Sequence, residues 1–138
     1  MVYPSITPVL RLLPLFATAC LLMSCGTARH SSPPKGSLQQ IGFVWLKDAG
    51  NAADQQKIIA AVQEFGRAIP EVKSVAVGKT DGLGGPFSDA SYDVSFILAF
   101  ENDAARLRYN AHPVHEKAAK EVFLPLSQKL LFYRFVNE

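Results

Sequence analysis

Tyr109-Asn-Ala-His112-Pro113-Val-His115 gathers two of the three histidines of this 138-residue chain beside a tyrosine. Imidazole exchanges its proton near neutral pH, whereas a phenol keeps its proton there and donates a hydrogen bond. His115 with Tyr109 therefore reads as a general base beside a proton donor. Pro113 suits the first position of a helix, which puts His115 in the first helical turn. The positive end of that helix favours neutral imidazole, the form a base needs. The same residues have a plainer reading. His112 caps the break before Pro113, His115 bonds a backbone carbonyl, and Tyr109 packs with its hydroxyl at a rim. His112, His115 and Glu116 are metal-ligand types, but the proline interrupts the turn and no third donor is fixed, so no metal site is assigned. Gly78-Lys79-Thr80 lacks the earlier glycine of a phosphate-binding loop, since Lys73 stands there, and a loop rather than a helix follows it.

The elements that must position these residues can be read from periodicity. Gln40 to Lys47 alternates Ile41, Phe43 and Trp45 against Val44 and Leu46, a strand. Asn51 or Asp54 caps a helix to about Ala68, with Ile58, Val62, Phe65 and Ile69 on one face, and Pro70 stops it. Val72 to Lys79 is a second strand, and the glycine-rich stretch from Thr80 to Ser91 is a loop. Tyr92 to Phe100 is a third strand. Asn102 caps a short helix through Tyr109, and Pro113 opens a second segment carrying Val114, Ala118, Val122 and Leu126 until Pro125 ends it. Lys129 to Phe135 is the last strand. The order β-α-β-β-α-β is the ferredoxin-like α+β pattern, an antiparallel four-stranded sheet with both helices on one face.

Three of these strands are apolar on both sides: Trp45 with Leu46, Phe96 with Ile97, Phe132 with Leu131 and Tyr133. A sheet face left to water should be polar. The pattern predicts a homodimer in which two sheets face each other as a dimeric α/β barrel, with Trp45, Phe96, Phe132 and His112 around an apolar cavity.

Apolar residues make up 49% of the chain and charged residues 19%, so it can bury a core. Arg11, Arg29 and Lys35 precede Leu38, and all 12 acidic residues follow it, so the segment from Leu38 onward is slightly acidic. That argues against a nucleic-acid surface. Cys20 and Cys25 are the only cysteines, which excludes disulfides, thiolate metal sites and cysteine nucleophiles from the rest. Arg11 followed by the apolar run Leu12 to Met23 has the length of a signal segment and is short for a membrane span. Leu22-Met23-Ser24-Cys25 resembles a bacterial lipoprotein signal. The resemblance implies a signal peptide over residues 1–24, lipid on Cys25, a polar tether over 25–37 with Pro33-Pro34, and a domain over 38–138. Gly26 after the cysteine, in place of aspartate, points to an outer-membrane or surface location in the cell envelope.

Leu46-Lys47-Asp48, Ile69-Pro70-Glu71-Val72, Tyr92-Asp93-Val94 and above all Tyr109-x-x-His112-Pro113-x-His115 resemble the stress-responsive dimeric α/β-barrel (Dabb) family over about 100 residues. The family includes stress-induced plant proteins and the cofactor-free polyketide cyclase that makes olivetolic acid. The resemblance implies no cofactor, and it places the tyrosine and last histidine of the motif, here Tyr109 and His115, in a pocket. The cyclase's first-strand histidine falls at Gln40, and the aspartate that orients its catalytic histidine falls at Arg134. Glutamine is not a proton-transfer base, and arginine accepts no imidazole N–H, so the cyclase reaction itself is not expected. The functional expectation is a membrane-anchored barrel that holds a small apolar molecule. Two alternatives stand beside it: a cofactor-free enzyme on an aromatic or polyketide-type compound, cyclase- or monooxygenase-like, and a purely structural or interaction module.

Overall fold

Alternation along the chain becomes a sheet with two different faces. The computed structural model describes residues 33–138; the proposed signal segment, Cys25 and most of the tether lie outside the described residues. The elements are β1 (Leu38–Leu46), α1 (Ala52–Ala68), β2 (Val72–Lys79), β3 (Val94–Phe100), α2 (Asp103–Asn110), α3 (Pro113–Ala118) and β4 (Ser127–Val136). Between α3 and β4 the helix passes through a π turn, Ala119–Phe123, and one last α turn, Leu124–Leu126. All strand pairs are antiparallel, in the order β2-β3-β1-β4. This is the ferredoxin-like α+β fold, and β4 is an edge.

In β1 the helix-facing set is Leu38, Gln40, Gly42, Val44 and Leu46, all buried. In β3 it is Val94, Phe96, Leu98 and Phe100. Helix α1 lays Ile58, Val62 and Phe65 on this face, with Ile69 just beyond its end, each almost fully buried. Each such side chain contributes about 1.5–3 kcal/mol of burial. Asn51 caps α1 by accepting from the Ala53 and Asp54 amides, both at 3.0 Å. Asn102 caps α2 by accepting from Ala105 at 2.9 Å. Gly66 lets α1 approach β2, for a Cβ there would meet Val75 at 2.6 Å.

β2, the ends of α1 and β3 and the starts of α2 and α3 keep the expected bounds, and the other ends move by one or two residues. Tyr92 is not part of β3, and Asp93 is the reason. Its buried carboxylate accepts from the Leu46 amide at 2.8 Å and the Gly50 amide at 2.6 Å. Its own amide donates to the Val44 carbonyl. Asp93 thus clamps the end of β1 and the turn into α1. Pro125 does not end the helical segment. The helical segment runs one residue past it to Leu126; the proline ring gives no N–H to the preceding turn, and Lys47 reaches across to the Leu124 and Pro125 carbonyls at 3.2 and 2.7 Å.

Candidate functional site

Three aromatic rings at the meeting point of α1, α2 and the π turn start the site. Phe65 stacks on Phe123 at 6.1 Å between centroids, and meets Tyr109 edge-on at 5.5 Å. The π turn is what brings Phe123 there. The Leu124 amide bonds back five residues to Ala119 rather than four, so the turn is widened by one residue. Beneath these rings lies the sheet. Gly42 pairs with Phe96 on one side and Phe132 on the other. A Cβ at Gly42 would collide with the Phe96 ring, so the missing side chain is what lets Phe96 lie flat across β1. Phe96 and Phe132 sit 6.2 Å apart as a floor.

Between floor and helices is a cavity of about 470 Å³. It opens at edge strand β4, where Phe132 stays 46% exposed. Phe65, Phe96, Phe123, Leu130 and Phe132 supply its apolar wall; Gln40, Arg106, Tyr109, Asn110, His115 and Arg134 supply its polar part. The volume is in the range of small-molecule sites, about 300–1,000 Å³.

Tyr109 and His115 are brought together. Their ring centroids are 4.4 Å apart, which the kink between α2 and α3 makes possible. His112 caps α3, its Nδ1 accepting from the Val114 amide at 3.2 Å, with Pro113 at the helix start. His115 Nδ1 lies 3.0 Å from the Asn110 carbonyl oxygen. A carbonyl can only accept, so Nδ1 carries the proton and neutral His115 presents an unprotonated Nε2. The tautomer-fixing partner, which the resemblance would place at residue 134 and which arginine cannot be, is supplied by the backbone of α2. Burial holds His115 below its ordinary pKa, against the opposing influence of the Asn110 carbonyl and Glu116. Burial pushes the Tyr109 hydroxyl well above the usual phenol range, so it remains a proton donor. Among the described residues that hydroxyl has no hydrogen-bond partner.

The residues expected around one pocket lie in different places. Trp45 is three positions from Gly42 and therefore on the other side of the sheet, with Phe43 and Tyr92; its indole donates to Ser91 at 3.0 Å, and Lys129 sits 4.0 Å over its ring. His112 is turned into the cap and does not line the cavity. The cavity described here lies on the helix side of the sheet and within one chain. Phe96 and Phe132 do line it. Sequence reading missed Phe65, Phe123, Arg106 and the Asn110 carbonyl. Arg106 had a signal, three residues before Tyr109 on the same helix face. A backbone carbonyl has none. No group of three His, Cys, Asp or Glu side chains among the described residues could hold a metal. No described helix is long and apolar enough to cross a membrane.

Residues 38–137 match the sequence model of the Stress responsive A/B Barrel Domain, Dabb. The fold resembles that of a Dabb family protein with a ferredoxin-like fold from Mesorhizobium loti, 23% identical, with a TM-score of 0.62, covering 75% of this chain and 99% of that one. It also resembles a dimeric ferredoxin-like protein of unknown function from Thermobifida fusca, 23% identical, TM-score 0.60, covering 72% and 90%. A third likeness is the hydroxynitrile lyase of Passiflora edulis, 24% identical, TM-score 0.64, covering 76% and 96%. No curated protein matches the chain.

Proposed function

Because this chain belongs to the stress-responsive A/B barrel domain family, we propose that it acts as an envelope-anchored homodimer that holds a small, largely apolar molecule in the cavity of each protomer. The observation that carries the binding role is the cavity itself: an aromatic floor, a wall of rings, and a tyrosine and a neutral histidine facing the space between them. The dimer is supported by the sheet face turned away from the helices. Ile41, Phe43, Trp45, Ile97, Leu131, Tyr133 and Phe135 make it apolar, and Ile97, Tyr133 and Phe135 are exposed in the lone chain. Monomers seldom leave a contiguous apolar patch larger than about 300–600 Å² bare. The neighbour from Thermobifida fusca is described as dimeric. The anchor rests on Leu22-Met23-Ser24-Cys25 after an apolar run.

The test is native mass spectrometry of the full-length chain purified from membranes. The expected spectrum is a dimer carrying a bound small molecule, which Tyr109→Phe or His115→Ala depletes. A dimer with empty cavities in every preparation contradicts the binding role.

The second reading is a cofactor-free enzyme, favoured by the fixed His115 tautomer. Nε2 is the base that would take a proton from a bound carbon or oxygen acid, and the Tyr109 hydroxyl is the donor to the oxygen on which charge develops. The likeness to a hydroxynitrile lyase fits this class without naming a substrate. Turnover of the captured molecule by the wild type, abolished in His115→Ala, separates enzyme from binder.

A further inference from the structure

The cavity has a charge pattern that an apolar ligand does not explain. Two arginines line it, Arg106 on α2 and Arg134 on β4, and no acidic residue does among the described residues. Gln40 and Arg134 are directly opposed on β1 and β4, so their side chains rise from the same face, about 5 Å apart at Cβ. Gln40 is 7% exposed, and among the described residues its amide has no hydrogen-bond partner. Arg106 uses Nε on Asp103 at 2.7 Å, and its remaining N–H groups have no partner among the described residues. Asp103, itself 62% exposed, interacts with the charges of both Arg106 and Arg134, and Glu116 acts on His115. The lining itself carries two arginines and no acid, so the corner is positive. Along the sheet the lining then changes in order: Gln40 with Arg134, then Gly42 with Phe132 and Phe96, then Val44 with Leu130. The cavity is polar and cationic at one end and oily at the other.

We propose that the cavity selects an amphipathic anion, a carboxylate or phosphate monoester on an aromatic or aliphatic body, with its acid group held by Arg134, Gln40 and Arg106 and its body on Phe96, Phe132 and Phe123. This rests on the reading that the cavity holds a small molecule. The guanidinium fork matches the paired oxygens of either acid, and the Gln40 amide adds a donor between them. An uncharged ligand would cover these donors and leave them unmatched.

Calorimetric titration of the full-length chain with 2-naphthoate, 2-naphthyl phosphate and 2-naphthalenemethanol tests this with one shared body. At least one anion should bind about tenfold or more tightly than the alcohol, the worth of a charge-assisted bond. Arg134→Met should bring that anion down to the affinity of the alcohol and leave the alcohol unchanged. The tighter of the two anions identifies the acid. An alcohol that binds as tightly as both anions, or an anion indifferent to Arg134→Met, overturns the proposal while the binding cavity stands. Binding of none of the three overturns the cavity's binding role and the proposal together.

Discussion

The two faces of the sheet are both apolar and are put to different uses. On the helix face, α1 and α2 pack on β2 and β3, while at edge strand β4 Phe132 and Arg134 border the cavity. On the other face no helix covers Ile41, Phe43, Trp45 and Tyr133; Phe43 packs edge-on against Tyr92 at 5.0 Å and Tyr133 at 6.3 Å in an aromatic layer that ends at solvent. One face is closed by its own chain and leaves a cavity where the cover ends. The other is flat, continuous and suited to a second copy. Incomplete cover, rather than greater oiliness, is what leaves a cavity here.

The largest expected effect is on the helix face. Gly42→Val drives a branched side chain into the Phe96 ring, which cannot move without displacing Phe123 and Phe132. A loss of about 1–3 kcal/mol of stability is expected, read as a lower midpoint in urea. A change of equal bulk at Ile97, on the other face, should leave that midpoint within about 0.5 kcal/mol. Next comes the outer face. Tyr133→Asp places a charge in the middle of the proposed contact, and light scattering should find monomers at micromolar concentration with the urea midpoint of the protomer little changed. A variant still fully dimeric would detach the dimer from this face.

The smallest effect is a pH dependence confined to the cavity. His115 has a lowered pKa when folded, so the unfolded chain takes up a proton first as pH falls. Its contribution is complete above about pH 6.5, the ordinary imidazole value, and is lost as pH falls toward the folded value. The lowered carboxylates Glu71, Asp89 and Asp103 act only further down, below about pH 4.5. Thermal melts between pH 6.5 and 5 should therefore decline in the wild type and flatten in His115→Gln. An unchanged slope in the variant would assign the decline to another group.

The element order, the α1 stripe, the cap at Asn51, the break at Pro113 and the pairing of Tyr109 with His115 were all legible, because each depends on local periodicity or on the chemistry of one residue type. The face of the sheet on which Trp45 lies was not. Alternation says which side chains share a face, but in a strand apolar on both sides it does not say which face meets the helices. The floor at Gly42 depends on a glycine opposite two phenylalanines on different strands, and so on register. The Asn110 carbonyl and the π turn are backbone features with no side-chain signature. The clamp at Asp93 stood in a recognisable Tyr92-Asp93-Val94 but gave no sign that its partners are amides more than 40 residues away.

Amide NMR of the labelled full-length chain titrated with 2-naphthoate tests the proposed location of the binding site most directly. The shifts should fall on Tyr109, His115, Ala119, Phe123 and Phe132, with Ile41, Phe43 and Ile97 unmoved. Shifts confined to Ile41, Phe43, Ile97 and Tyr133 would put the ligand between the sheets and contradict it.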